Sequence, residues 1–256
     1  MIVNILRCIG VYLYVLFSFF FSYITIKINN LFNWKLTKEK RRIQNIKIFY
    51  NISYYLFQLL FWINISIEGE LVDISKKQYI IVCNHVSYFD LFVISNIIRK
   101  IPNYTNICFI GMGSLLNYPI AGYVLQQIDM IPVYFSKPKN FTVNRYDKIS
   151  VKKAVEKVNI ALQEGKSLVI FPEGKTNPNP QKMNMIRGGA YNFSKEFNIP
   201  IKIFGLKNVE KIWRRFSYPI GKGNIIIKIF NGEYNFKTIK EYRKTISNII
   251  ESYLLN

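Results

Sequence analysis

Apolar positions along this chain follow a helical pattern first and a strand pattern later. Residues 8–26 carry no charge and are bracketed by Arg7 and Lys27. As a helix, that run rises roughly 28 Å at about 1.5 Å per residue, close to the hydrocarbon thickness of a bilayer. A second uncharged run, 48–67, is more polar, with Asn51, Gln58 and Asn64 interspersed. Ile48, Ile52, Tyr55, Leu59 and Trp62 recur there at helical spacing, which predicts an amphipathic or half-embedded helix. From Tyr79 onward, short apolar runs at 79–83, 107–110, 128–134, 168–171, 199–204 and 225–230 read as buried strands. Between and after them, 90–99, 114–127, 150–164, 188–197 and 238–254 read as helices. The alternation predicts an α/β fold: a largely parallel sheet flanked by helices, preceded by N-terminal membrane helices. Residues 1–70 form the anchoring helices with a basic linker, and 71–256 form the α/β domain. The polar stretches 136–148 and 176–185 read as loops. The second follows a strand end, where α/β proteins place ligands.

Charge narrows the partners. The 256 residues carry 35 Lys and Arg against 15 Asp and Glu, a formal net charge of +20. Such an excess suits an anionic partner, nucleic acid or membrane. No basic stripe interleaved with aromatics and no nucleic-acid module is present, and the apolar N-terminus selects membrane lipids. The linker's Lys35, Lys38, Lys40, Arg41, Arg42 and Lys47 against Glu39 mark the cytosolic side and suit anionic headgroups. A spanning helix and an in-plane helical hairpin both fit the pattern. A cleaved signal peptide fits poorly, because Phe, Tyr and Ile crowd the segment's end where small residues belong. Cys8, Cys83 and Cys108 have no partner at metal-ligand spacing, so they read as reduced and buried, with no metal expected.

The chemistry concentrates in two short segments. Residues 83–90 read CNHVSYFD, after a strand and before a helix, and contain the chain's one histidine, His85. Imidazole is the side chain whose unperturbed pKa suits a general base near neutrality. Asp90 lies five residues on. Across a turn leading into a helix, its carboxylate can fold back to hold the imidazole tautomer, as a triad acid does. Asn84 and Ser87 equally suit helix capping. Residues 171–177 read FPEGKTN at another strand end. Pro172 stops the strand, Gly174 permits a tight turn, Glu173 is held beside it, and Lys175 is available to an anion. Arg187 before Gly188 and Gly189 suits phosphate, or simply begins a helix.

In combination these residues resemble the glycerolipid acyltransferases, which include the 1-acylglycerol-3-phosphate acyltransferases. NHVSYFD is similar to that family's Asn-His-x-Ser-x-x-Asp signature, and FPEGKTN to its Phe-Pro-Glu-Gly-Thr-Arg-Ser block. Gly113-Ser114-Leu115 with Pro119 and Gly122, then Ile131-Pro132-Val133, resemble its middle block; Arg187-Gly188-Gly189 and Ile199-Pro200-Ile201 resemble later ones. The resemblance implies a membrane-associated O-acyltransferase of phospholipid biosynthesis, on the endoplasmic reticulum in a eukaryote. It implies acyl-CoA or acyl-carrier protein as donor, the hydroxyl of 1-acylglycerol-3-phosphate as acceptor and no cofactor; the alternatives are a lysophospholipid acceptor with a different headgroup and a non-catalytic membrane-binding protein. By it, His85 is the base and Asp90 its orienter, while Asn84, Ser87, Glu173, Gly174, Lys175, Thr176 and Arg187 form the substrate site, with backbone N–H groups of the turn on the oxyanion. This chain departs at Lys175-Thr176, Gly113 and Tyr134-Phe135, where the family carries Thr-Arg, a basic residue and Asp-Arg. Those departures leave the chemistry and unsettle the acceptor; Lys137, Lys175 and Arg187 are the replacement cations the sequence offers.

Overall fold

The computed structural model describes residues 2–135, 147–219 and 221–255. In chain order the elements are α1 (Ile2–Phe32), α2 (Lys38–Phe57), β1 (Ile63–Glu68), β2 (Ile80–Cys83), α3 (Asp90–Ile98), β3 (Ile107–Met112), α4 (Pro119–Gln127), β4 (Met130–Val133), α5 (Lys148–Gln163), β5 (Ser167–Ile170), α6 (Gly189–Phe197), β6 (Ile201–Lys207), β7 (Gly223–Ile229) and α7 (Ile239–Leu255). Seven strands form one sheet in the order β1-β7-β6-β2-β5-β3-β4. All neighbours are parallel except β6 and β7.

The central strands are buried on both faces and read as unbroken apolar runs for that reason. Alternate residues feed two cores. Ile81, Cys83, Val169 and Phe204 face the layer built from α1 to α4. Ile80, Val82, Leu168 and Ile201 face α5, α6 and α7. The result is a three-layer sandwich, with its parallel strands ending on the side that carries the two chemical segments.

The expected α/β architecture is present; the N-terminal region differs from its reading. The charged stretch taken as a linker begins α2. Thr37 caps that helix, its hydroxyl accepting from the Lys40 N–H at 3.3 Å, and Glu39 lies in the first turn. The inward face of α2 is Ile46, Phe49, Tyr50, Ser53 and Phe57, whereas Tyr55 and Leu59 are exposed. The run 48–67 is therefore not one helix. Its second half is β1, where Ile63, Ile65 and Ile67 alternate with Asn64, Ser66 and Glu68 and pair with β7. The sheet thus recruits residues ahead of 71. Arg42 is not a free headgroup cation either: it pairs with Glu39 and Asp129 at the amino-terminal end of the sheet.

α1 is long and apolar enough to cross a membrane. It buries Val11, Tyr14, Ser18, Ser22 and Ile26 and leaves Leu6, Leu13, Leu16, Phe17, Phe20 and Phe21 exposed. Its inner face is tied to the domain along its length. The Tyr14 hydroxyl lies 2.8 Å from Ser53 Oγ, and Asn30 donates to the Tyr123 hydroxyl at 3.1 Å. The predicted helix 114–127 is a 3-10 turn followed by α4, with Pro119 at the first turn of the latter. The predicted loop 176–185 is irregular, whereas 136–146 and Lys137 lie outside the described residues.

Candidate active site

β2 delivers its last residue, Cys83, to the carboxyl end of the sheet, and the chain then turns through 84–89 into α3. Asn84 is fully buried and replaces strand pairing where β2 stops. Its amide donates to the Leu206 carbonyl at 2.9 Å and accepts from the Leu206 N–H at 2.7 Å. Ser87 is also fully buried; its hydroxyl donates to the Trp213 carbonyl at 2.6 Å and accepts from the Phe89 N–H at 3.0 Å. These bonds fix the path of the turn. Both side chains, expected as substrate contacts, are enclosed and bonded to backbone.

Asp90 begins α3 with its carboxylate folded back over the turn. Oδ2 accepts from the Val86 N–H at 2.7 Å and the Ser87 N–H at 2.9 Å, and lies 2.7 Å from His85 Nδ1. The five-residue spacing works because the intervening residues form a turn rather than helix. With Nδ1–H pointing at a carboxylate, Nε2 is the basic nitrogen. The imidazole stacks on Phe171 at 4.4 Å between ring centroids and keeps 23% of its side chain exposed. Nε2 lies 3.2 Å from the Thr176 hydroxyl.

The second segment is bolted onto the first. Glu173 is 1% exposed. It accepts from the His85 N–H at 2.8 Å, the Asn177 side-chain amide at 2.7 Å and the Asn184 N–H at 2.9 Å. The Asn177 N–H returns a bond to the His85 carbonyl at 2.6 Å. Burial pushes the Glu173 carboxyl above its ordinary range; the N–H groups of His85 and Asn184, the His85 ring and the Asn177 amide pull against that. Glu173, expected at the acceptor site, is a buried brace between the two turns. Gly174 has φ +68, the left-handed conformation its turn requires, and its N–H donates to the Phe171 carbonyl at 3.0 Å. The N–H groups of Gly174 and Asn177 are thus committed within the fold, so the oxyanion role expected of this turn does not fall to them. Lys175 is exposed and Arg187 half-buried, with its N–H on the Pro172 carbonyl at 2.9 Å.

A family model described as Acyltransferase matches residues 64–203, more than half of the chain. The chain belongs to the acyltransferase family. Within that family it is 27% identical over 182 residues to a 1-acyl-sn-glycerol-3-phosphate acyltransferase of Cocos nucifera, covering 68% of this chain and 52% of the relative. It is also 27% identical over 134 residues to the enzyme of that name from Helicobacter pylori, covering 52% and 50% of the two chains. This acyltransferase spans about half the length of the curated relatives it matches. The crystal structure of a 1-acyl-sn-glycerophosphate acyltransferase from Thermotoga maritima shares its fold, with a TM-score of 0.72 over 98% of this chain and 96% of that one, at 15% identity.

Two of this acyltransferase's departures from the family pattern meet in space. A Cβ on Gly113 would lie 2.7 Å from the ring of Tyr134, so the aromatic at one position fills the space a side chain at the other would need. Residues 209–219 touch both turns, a contact the sequence did not announce. Ser87 pairs with Arg214 in an isolated antiparallel bridge, and Arg215 Nη1 donates to the Thr176 carbonyl at 3.0 Å. That pairing joins positions more than a hundred residues apart, which no local pattern announces.

Proposed function

We propose that the chain moves a fatty-acyl group from a thioester donor, acyl-CoA or acyl-carrier protein, to the free hydroxyl of a 1-acylglycerol 3-phosphate. The observation that carries this reading is the Asp90–His85 pair, with Nε2 beside a hydroxyl at the mouth of a strand-to-helix turn. The Thr176 hydroxyl marks where an acceptor hydroxyl sits. His85 Nε2 takes the acceptor's proton as its oxygen attacks the thioester carbonyl. Asp90 holds the ring and stabilises the imidazolium. Collapse of the tetrahedral adduct breaks the carbon–sulfur bond, and the thiolate leaves with the proton from His85. The step as written moves one acyl group and one proton and draws on no cofactor. The names of the relatives supply the acceptor class.

The membrane reading follows from α1. A helix fastened to α2 and α4 from Tyr14 to Asn30 cannot be ringed by lipid, so we place it in the plane of one leaflet, exposed face down. Exposed Phe17, Phe20 and Phe21 supply the buried area.

Full-length protein is incubated with radiolabelled acyl-CoA and a panel of lysophospholipids differing in headgroup. The expected result is phosphatidate formation from 1-acylglycerol 3-phosphate and none in His85→Ala, which stays folded and membrane-bound. Near-full turnover in His85→Ala refutes the mechanism. Preference for a choline or ethanolamine headgroup refutes the acceptor.

A further inference from the structure

We infer that Arg215 is the cation that binds the acceptor's phosphate, an inference that rests on the acceptor reading above. An acceptor hydroxyl at His85 Nε2 carries its phosphate two carbons and one oxygen away, so a recognising charge has to stand one residue's width from the imidazole. Arg215 meets that condition. Its guanidinium bonds the Thr176 carbonyl at 3.0 Å, and the hydroxyl of the same Thr176 lies 3.2 Å from Nε2. Positions 113 and 134, which follow β3 and β4 at the carboxyl end of the sheet, hold a glycine and a tyrosine packed on each other and carry no charge. Lys175 and Arg214 are exposed, whereas Arg215 is half-buried and bonded to Thr176.

The turn carrying Arg215 is built at a cost. Ser217 N–H and Oγ both bond the Arg214 carbonyl, at 3.1 and 2.7 Å, closing a tight turn. Inside it, Phe216 adopts φ +60, a left-handed conformation that a bulky side chain rarely takes. That conformation sends Phe216 out, 82% exposed, while Arg215 is drawn back to Thr176 with its guanidinium 4.5 Å from the Phe216 ring. Among the described residues Arg215 makes this one hydrogen bond and no ion pair, so a planar fork of further N–H donors is available to a phosphate. The Trp213 carbonyl on Ser87 and the Trp213 indole on the Ser217 carbonyl at 3.0 Å hold both ends of the turn.

Two variants separate charge from structure. Arg215→Gln keeps a donor for the Thr176 carbonyl and loses the charge; Arg215→Lys keeps the charge and loses the fork. Kinetics use acyl-CoA with 1-acylglycerol 3-phosphate or with 1-monoacylglycerol, which lacks the phosphate. Arg215→Gln is expected to raise KM for the phosphate-bearing acceptor by about 10- to 100-fold, the loss of a charge-assisted hydrogen bond. KM for acyl-CoA and turnover of monoacylglycerol should stay within about twofold, a change too small for a lost charged contact. Arg215→Lys should recover part of the loss. An unchanged acceptor KM, an equal loss on monoacylglycerol, or a rise confined to acyl-CoA overturns the assignment. Equilibrium binding of both lipids to the wild type and Arg215→Gln reads the site without turnover. Phosphate-selective binding lost in Arg215→Gln from a protein that transfers no acyl group would refute the proposed function and keep this site. Equal phosphate selectivity in an active Arg215→Gln would do the reverse.

Discussion

The turns that follow β2 and β5 leave neighbouring parallel strands, and each encloses one buried carboxylate beside His85. Asp90 is 0% exposed and Glu173 1% exposed. Each accepts three hydrogen bonds, yet only Asp90 spends one on the imidazole ring. Glu173 spends its bonds on two backbone N–H groups and an amide, and so fixes where the FPEGKTN segment lies against the histidine. Equal burial therefore serves two ends: one carboxylate holds the imidazole ring, and the other ties the FPEGKTN segment to the backbone of the histidine turn.

Substitutions at the two carboxylates break this comparison from opposite sides. Asp90→Asn removes the charge that selects the tautomer, and kcat should fall by about 10⁴, as at a triad acid. Chemical denaturation should show a far smaller effect; a fall in kcat of less than tenfold would make Asp90 structural too. Glu173→Ala orphans the His85 and Asn184 N–H groups and leaves the Asn177 amide with the Lys182 carbonyl alone. It should cost about 3–5 kcal/mol of stability, because each stranded buried donor is worth about 1–3 kcal/mol. Residual folded protein at low temperature should keep its pH–rate profile, since the His85–Asp90 pair is untouched. A shifted profile without destabilisation would move Glu173 into the chemistry.

A milder loss is expected at Asn84→Ala, where one donor and one acceptor of Leu206 lose their partner. About 2 kcal/mol is the expected drop, read from urea midpoints in detergent. The smallest effect is a pH dependence. Burial holds the folded Glu173 carboxyl above its unfolded value, so its proton-linked contribution is full below about pH 4.3 and is lost as pH rises through the raised value. Glu173→Gln lacks that contribution, so its deficit against the wild type should narrow as pH rises above about 4.3. A deficit that widens would show that the three N–H donors outweigh burial and hold the anion.

The sandwich and the His85–Asp90 pair were legible because both are local. Alternating periods mark strands and helices, and a turn brings residues five apart together. The start of α2 was legible in principle from Thr37 and Glu39, and β1 from the Ile63, Ile65, Ile67 alternation. An uncharged run across their boundary, with neither Gly nor Pro to punctuate it, concealed both. What stayed hidden is long-range. Ser87 makes the local bond its residue type suggests, to the Phe89 N–H, but its other partner is the Trp213 carbonyl, and both partners of Asn84 are backbone atoms of β6. Thr176 lies beside His85 Nε2, whereas Lys175 is turned out to solvent.

The contact between Tyr12 of α1 and Trp213, 5.4 Å between ring centroids, joins the apolar helix to the turn that carries Arg215. Under the proposed in-plane seating, that junction sets the Arg215 turn beside the leaflet. A lysolipid then arrives by sideways drift rather than by desorption into water. Velocity consequently follows the acceptor's mole fraction in the bilayer, and diluting the surface with inert lipid slows the reaction even when the total amount of acceptor is unchanged.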